Sequence, residues 1–420
     1  MASGTASRAA ALETLQKVRS GERFDSAHAA AVAGLDDADR RLAHEMAAGV
    51  LRTRTRLDRQ LSSLVSGSWE RTAPDLQELL RIGAYQLTRL DRVPEYAAVQ
   101  ATVEVAKKVA GHRAAGLVNA VLRRVAQGEG EPGPVSAGDA AGLAELHSHP
   151  QWLVDRWVSG FGLDRTRALL EHNNRKPPFV IQPVGWSQEK LRTSLAERGI
   201  TAKPTPLGPG LAVEGARAED LPGYDQGSFL VQGPAQACVL QFAEVAPGAV
   251  VWDACAAPGG KAAILSVVAR VVATELKRDR IPRLRETLDR VAPQVTVVVA
   301  DAVTPPLGDQ AVDVALVDAP CSATGTLARH PDGRWRLAES GIKRMAQLQL
   351  RLLDAASTVV KVGGILVYAT CSLEPEENQE QVNSFLERHQ NYQRERDDLF
   401  LFPPDTGTDG AFAARLRRLR

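Results

Sequence analysis

Over the first 127 residues the apolar side chains recur at helical spacing. Ala10, Leu12, Leu15 and Val18 fall on one side of a 3.6-residue repeat, and Leu76, Leu79, Leu80, Ile82 and Leu87 repeat the pattern. Helices are therefore predicted throughout residues 5–127. Residues 128–145 are rich in Gly, Pro, Ala and Glu and carry no period, which predicts a flexible linker. The run His149-Pro150-Gln151-Trp152-Leu153 opens another helical stretch. A strand over residues 179–184 then precedes a helix with Ser187 as N-cap and Gly199 past its end. Strand-like segments follow at Leu211-Ala212-Val213 and Phe229-Leu230-Val231. Residues 146–235 thus read as helix followed by a small α+β subdomain.

From residue 236 short apolar runs alternate with helices. The runs are Val250-Val251-Trp252, Val271-Val272-Ala273-Thr274, residues 295–300, residues 312–317 and residues 365–369. Each is continuous and rich in Val, as expected of strands buried on both faces of a parallel sheet. The alternation predicts a doubly wound α/β sheet over residues 236–420, with ligands at the carboxyl ends of its strands.

A chain of 420 residues is long for one core, so several domains are expected. With 44% apolar and 24% charged residues the composition is that of a globular protein. No apolar run is long enough to span a membrane, and Met1-Ala2-Ser3-Gly4 lacks the pattern of a signal peptide. A cytoplasmic protein is expected. The net charge of +1 does not mark a nucleic-acid binder, but its distribution is uneven. Lys and Arg outnumber Asp and Glu over residues 1–127, and the chain ends Arg415-Leu416-Arg417-Arg418-Leu419-Arg420. Such faces can hold phosphates, although a solvated Arg-rich helix face has the same composition. The four cysteines, Cys238, Cys255, Cys321 and Cys371, form no CxxC pair and no Cys/His group with zinc spacing, so no metal is expected.

Three strings carry the candidate chemistry, each just after an apolar run. Asp253-Ala254-Cys255-Ala256-Ala257-Pro258-Gly259-Gly260-Lys261 leads into a helix, and its glycines let the backbone approach a ligand. It is neither GxGxxG nor a P-loop, which argues against a dinucleotide or ATP. Glu275, Asp301 and Asp318 end the next three strands. One acid after a strand is usually a cap, but four in succession beside a Gly-rich turn describe a nucleoside pocket without a phosphate clamp. S-adenosyl-L-methionine suits it.

The other two strings are Asp318-Ala319-Pro320-Cys321-Ser322-Ala323-Thr324-Gly325-Thr326 and Tyr368-Ala369-Thr370-Cys371-Ser372-Leu373-Glu374-Pro375-Glu376-Glu377-Asn378. Both place a thiol just beyond a buried strand, so both should reach one rim. A free Cys is more often an inert core residue, but two beside a nucleoside pocket suit methylation of a pyrimidine ring. Carbon-5 of cytosine is too weak a nucleophile to attack a sulfonium methyl. A thiolate added at carbon-6 converts the ring to an enamine and activates carbon-5. A base must then remove the carbon-5 proton before the thiolate leaves. Asp318 can hold the ring at nitrogen-3 or the exocyclic amine. On residues alone, Cys321 and Cys371 compete for the role of nucleophile. The target base must leave its stack, which favours a loop or single strand.

Several of these strings match known families. Leu80-Arg81-Ile82-Gly83-Ala84-Tyr85-Gln86-Leu87, Val93-Pro94 and Val118-Asn119-Ala120-Val121-Leu122-Arg123-Arg124 resemble the NusB-like helical domain, which implies an RNA-binding bundle over 1–127. Cys-Ala-Ala-Pro-Gly-Gly-Lys is similar to the loop of the RNA 5-methylcytosine methyltransferases, which have a class I, Rossmann-like fold. That resemblance implies cofactor contacts from Cys255 to Lys261 and from Glu275, Asp301 and Asp318, the family more often having Asp where Glu275 stands. It also implies Cys371 as nucleophile and Cys321 as the residue of product release. Arg329-His330-Pro331-Asp332 and Arg334-Trp335 match the family pattern as well and are expected either to line the RNA cleft or to form a helix-leading loop.

Taken together the chain resembles the RsmB/Sun family, whose members methylate a cytosine of small-subunit ribosomal RNA in bacteria. The expected partner is therefore ribosomal RNA, with the chain acting as a monomer. A methyltransferase of transfer RNA, or a NusB-like RNA-binding regulator with an inactive fold, are the competing expectations. The chain departs from the family at Ile181-Gln182-Pro183, where Arg-x-Asn is usual, at Gln232-Gly233-Pro234, and at Ala411 and Ala413, where aromatic residues are usual.

Overall fold

The computed structural model describes residues 4–131, 133, 135, 137–215 and 217–420. Residues 132, 134 and 136 of the expected linker lie outside the described residues. The chain divides into two compact units: Met1–Arg175 with Leu327–Leu337, and Lys176–Thr326 with Ala338–Arg420.

The first unit is helical. Helices α1 (Thr5–Arg19), α2 (Phe24–Ala31), α3 (Asp37–Ser62), α4 (Pro74–Arg89) and α5 (Glu95–Ala126) bury the expected apolar stripe, including Leu12, Leu15, Leu79, Leu80 and Ile82. Asp36 caps α3 by accepting from the Asp39 amide at 2.8 Å. Gly83 lets α4 and α5 approach closely, since a Cβ there would lie 2.3 Å from Leu122 Cδ1. The expected linker over 128–145 is shorter than its composition suggests. Helix α6 (Ala140–His147) begins inside it, because Asp139 caps the turn through the Gly142 amide at 2.8 Å and Leu143 is buried. Helices α7 (Gln151–Phe161) and α8 (Leu163–Asn174), the helical part of the segment expected over 146–235, pack in this unit.

The second unit holds two sheets. The small one pairs β1 (Phe179–Pro183), β2 (Ala202–Pro204), β3 (Leu211–Val213) and β4 (Phe229–Val231) in the order β2-β3-β1-β4, all antiparallel. Ser187 caps the intervening helix through the Lys190 amide at 3.2 Å. The large sheet contains β5 (Val250–Asp253), β6 (Arg270–Glu275), β7 (Thr296–Val299), β8 (Val312–Asp318), β9 (Val360–Thr370), β10 (Tyr392–Arg394), β11 (Leu399–Leu401) and β12 (Ala411–Arg418). Its order is β10-β12-β9-β8-β5-β6-β7, with β11 on β12. Strands β5 to β9 are parallel and β12 runs antiparallel to β9. This is the Rossmann-like sheet expected from the Val-rich runs, and every run forms a strand. Because β8 returns to the far side of β5, the order reverses there, and a crevice opens at the carboxyl ends.

Candidate active site

The loop after β5 stays registered with its neighbours: the Ala254 amide donates to Leu316 O and the Ala256 amide to Thr274 O, both at 2.9 Å. Gly259 then turns the chain with φ 102° and caps the helix Gly260–Leu265. Asp253 is fully buried, and neither carboxylate oxygen has a hydrogen-bond partner of good geometry, only the Cys255 amide lying near. Burial, then the charge of Asp318, pushes its carboxyl up to about 7. Burial likewise pushes the Cys255 thiol far up, which fits its packing against the sheet core. Lys261 reaches across the loop and donates to Asp318 Oδ2 at 2.6 Å and to Gln236 Oε1. Glu275, at the end of β6, is buried and accepts from the Lys277 amide at 2.8 Å. Asp301 is exposed after β7 and accepts from the Val303 amide at 2.9 Å.

The two thiols meet because β8 and β9 are neighbours. Asp318 pairs with Ala369 in register, and the Ala319 amide donates to Ala369 O at 2.8 Å. Beyond that rung the chains turn together, the Gly325 amide donating to Cys371 O at 3.0 Å. Cys321 Sγ and Cys371 Sγ are 3.3 Å apart, both half-buried. The hydrogen bond to Cys371, then burial, then the nearby charges of Cys371 and Glu377 push the Cys321 thiol well above its ordinary range. Thr370 donates to Asn378 Oδ1 at 2.6 Å, and Asn378 returns a bond to Ser372 O at 2.9 Å, so the Thr-Cys-Ser turn is held from behind.

Comparison with known proteins places this geometry in a family. The model for 16S rRNA methyltransferase RsmB/F matches residues 240–417, that for the NusB family residues 5–127, and that for the RsmF/B-like ferredoxin-like domain residues 149–218. Ribosomal RNA small subunit methyltransferase B of Erwinia tasmaniensis is 36% identical over 427 residues, covering 97% of this chain and 98% of its own. The chain belongs to the RsmB family of ribosomal RNA small subunit methyltransferases. Among solved structures, PH0851 superposes with a TM-score of 0.84 at 23% identity, covering 100% of both chains. NSun6 from Pyrococcus horikoshii with SFG gives a TM-score of 0.58 at 21% identity, covering 64% of this chain and 98% of that one. Both show the same fold.

RsmB-family members are S-adenosylmethionine-dependent methyltransferases, and this loop fits that cofactor. An orphaned buried carboxylate at Asp253, a turn whose left-handed backbone favours glycine at Gly259, and a second buried carboxylate at Glu275 suit a cationic nucleoside. Sequence reasoning counts Asp253 as one of the four acids of the pocket, but the cofactor contacts implied by the resemblance begin at Cys255. Its signal was its place at the end of β5, the same as that of the acids that were chosen. Sequence reasoning also misses Glu377 as a site residue, although it follows Cys371 by six positions.

Two expectations for the RNA face change. Asp332 and Arg334 are buried and line no cleft. Arg334 donates to Asn174 Oδ1 at 2.7 Å, Asn173 O at 2.9 Å and Ser148 O at 3.3 Å, and Trp335 Nε1 donates to Leu51 O at 2.8 Å. These side chains fill the helical unit, where carbonyl oxygens accept from both terminal guanidinium nitrogens while Nε stays unpartnered. The departure at Gln182 is likewise internal: its amide donates to Gln232 O at 3.4 Å, joining the two unusual segments. Among the described residues no group of three metal-ligating side chains occurs, and no helix is long and apolar enough to cross a membrane.

Proposed function

We propose that the protein methylates carbon-5 of a cytosine in small-subunit ribosomal RNA, with Cys371 bonded transiently to carbon-6 of the ring. The observation that carries the reading is the 3.3 Å approach of two thiols beside the cofactor loop. The high proton affinity of Cys321 supports the division of labour. A Cys321 that keeps its proton near neutral pH donates its S–H to Cys371 and stabilises the anion that attacks. S-adenosylmethionine supplies the methyl group as an electrophile. Asp253, Glu275, Asp301 and the turn from Cys255 to Lys261 would hold it, and Lys261 fixes Asp318 by its hydrogen bond. Asp318 accepts from the ring at the exocyclic amine or nitrogen-3 and favours protonation of nitrogen-3 as negative charge builds up there. Once carbon-5 carries the methyl, a base takes its proton, the electrons of that C–H bond re-form the ring double bond and expel Cys371 as a thiolate, and the Cys321 S–H donates to the departing sulfur.

All these groups come from one chain, which supports action as a monomer, and ribosomal RNA as partner supports a cytoplasmic setting. The test is a pair of variants. Cys321→Ala is expected to accumulate a covalent protein–RNA adduct resistant to denaturation, and Cys371→Ala to be inactive and form none. The reverse pattern overturns the assignment of roles. Methyl incorporation into purified ribosomal against transfer RNA tests the substrate; transfer RNA as the better acceptor overturns that part.

A further inference from the structure

Glu377 is fully buried, and among the described residues no cation lies within ion-pair distance of it. Oε1 accepts from the Ser322 amide at 2.9 Å and from Gln349 Nε2 at 3.2 Å. Oε2 accepts from the hydroxyls of both Ser322 and Ser372. Ser322 follows Cys321 and Ser372 follows Cys371, so one carboxylate grips the residue next to each thiol. The main chain of Glu377 and its partner Gln349 are themselves anchored. The Tyr368 hydroxyl donates to the Glu377 carbonyl at 2.6 Å, and Gln349 also donates to Pro320 O at 2.9 Å. A buried charge without a counter-ion is costly, and a neutral side chain could tie two loops at lower cost. Its retention needs a reason beyond packing.

We propose that Glu377 is a positioning residue for methyl transfer: through Ser322 and Ser372 it sets the separation of the Cys321 and Cys371 sulfurs. This inference rests on the two-thiol reading above. Glu377 touches neither substrate nor cofactor and acts through the two serines. Its charge has a second consequence. The groups facing Cys321 are Cys371, Glu377 and Tyr368. Burial keeps Tyr368 neutral and raises the Glu377 carboxyl too, against the pull of its serine and Gln349 hydrogen bonds; once ionised, Glu377 is the charge that helps hold the proton on Cys321.

The experiment uses the full chain, labelled S-adenosylmethionine and ribosomal RNA. Glu377→Gln is expected to lower kcat by about 100-fold, the scale of a misplacement of about 1 Å in a reacting group, with the KM for S-adenosylmethionine unchanged. In the Cys321→Ala background it slows adduct formation to match. The Ser322→Ala/Ser372→Ala double variant reproduces the loss, and adding Glu377→Gln to it costs little more, because both act on one linkage. With the charge gone, the alkaline limit of kcat moves to lower pH, as Cys321 loses its proton more readily. Wild-type kcat and pH profile in Glu377→Gln overturn the proposal, as does a fully additive loss on top of the serine variant. If Glu377→Gln does not fold, the serine double variant decides alone, and its normal kcat overturns the proposal. Failure of the two-thiol reading is distinct: the wild-type protein transfers no methyl, or Cys371→Ala still forms the adduct.

Discussion

Asp253 combines complete burial with two carboxylate oxygens that lack well-formed hydrogen bonds. Its carboxyl is raised from 3.8 to about 7, first by burial and then by Asp318. The sign follows from linkage. Between these values the folded protein keeps a proton that the unfolded chain releases, so stability is fully present near pH 3.8 and is lost as pH rises to about 7. A shift of that size is worth about 4 kcal/mol at most. Asp253→Asn should therefore melt above wild type at about pH 8 and close to it at about pH 4, read by thermal unfolding without cofactor. The same variant should bind S-adenosylmethionine at least about 10-fold more weakly, since a charged acceptor is lost. A melting difference independent of pH would show that the carboxyl ionises normally. Burial of this kind has no signature in a single sequence, so Asp253 read as one acid among four.

Strands and loops differed in how far the sequence exposed them. Every Val-rich run became a strand of the large sheet, because strands buried on both faces need continuous apolar runs. β2 was not anticipated: Ala202-Lys203-Pro204 is a three-residue edge strand on β3 whose one apolar contact with the core is Ala202. Helix α6 hid in a Gly/Pro-rich composition, since its capping Asp139 counts for little in an average over the segment. In the site, the strings were legible but their partnerships were not. Lys261 meets Asp318 across 57 residues, and Glu377 meets Ser322 across 55. One loop feature can be tested directly. Gly259 has φ +102°, and a Cβ there would lie 3.0 Å from Leu284 Cδ1. Gly259→Ala should cost about 1–2 kcal/mol from the left-handed backbone alone and displace the turn. Titration calorimetry should find weakened S-adenosylmethionine binding with the thiol adduct chemistry intact at saturating cofactor; unchanged affinity would remove this glycine from the cofactor cradle.

At the scale of the molecule, the chain leaves the catalytic unit just after the Cys321 loop and returns at Ala338. The excursion Leu327–Leu337 is core to the helical unit. Leu327 and Ala328 are buried, the Phe24 amide donates to Asp332 at 3.2 Å, and Arg52 donates to Ala328 O at 3.1 Å. Arg334 is fully enclosed there, and burial, then Arg52, lowers its guanidinium to about 9. Its partners are carbonyls, an amide and His149, which burial keeps neutral. The helical unit therefore supplies the fold of a segment that begins six residues after Cys321, besides any contact with RNA. Two variants separate these roles. Arg334→Ala should lower stability by about 3 kcal/mol or more, because it opens a cavity and strands several buried acceptors. A chain of residues 176–420 should melt lower than the whole protein and aggregate, since its excursion loses every partner named here. Supplying residues 1–175 as a separate chain should restore both solubility and adduct formation. A soluble 176–420 fragment with normal S-adenosylmethionine affinity and methyl transfer would show that the excursion orders itself, and the helical unit would then be needed for RNA alone.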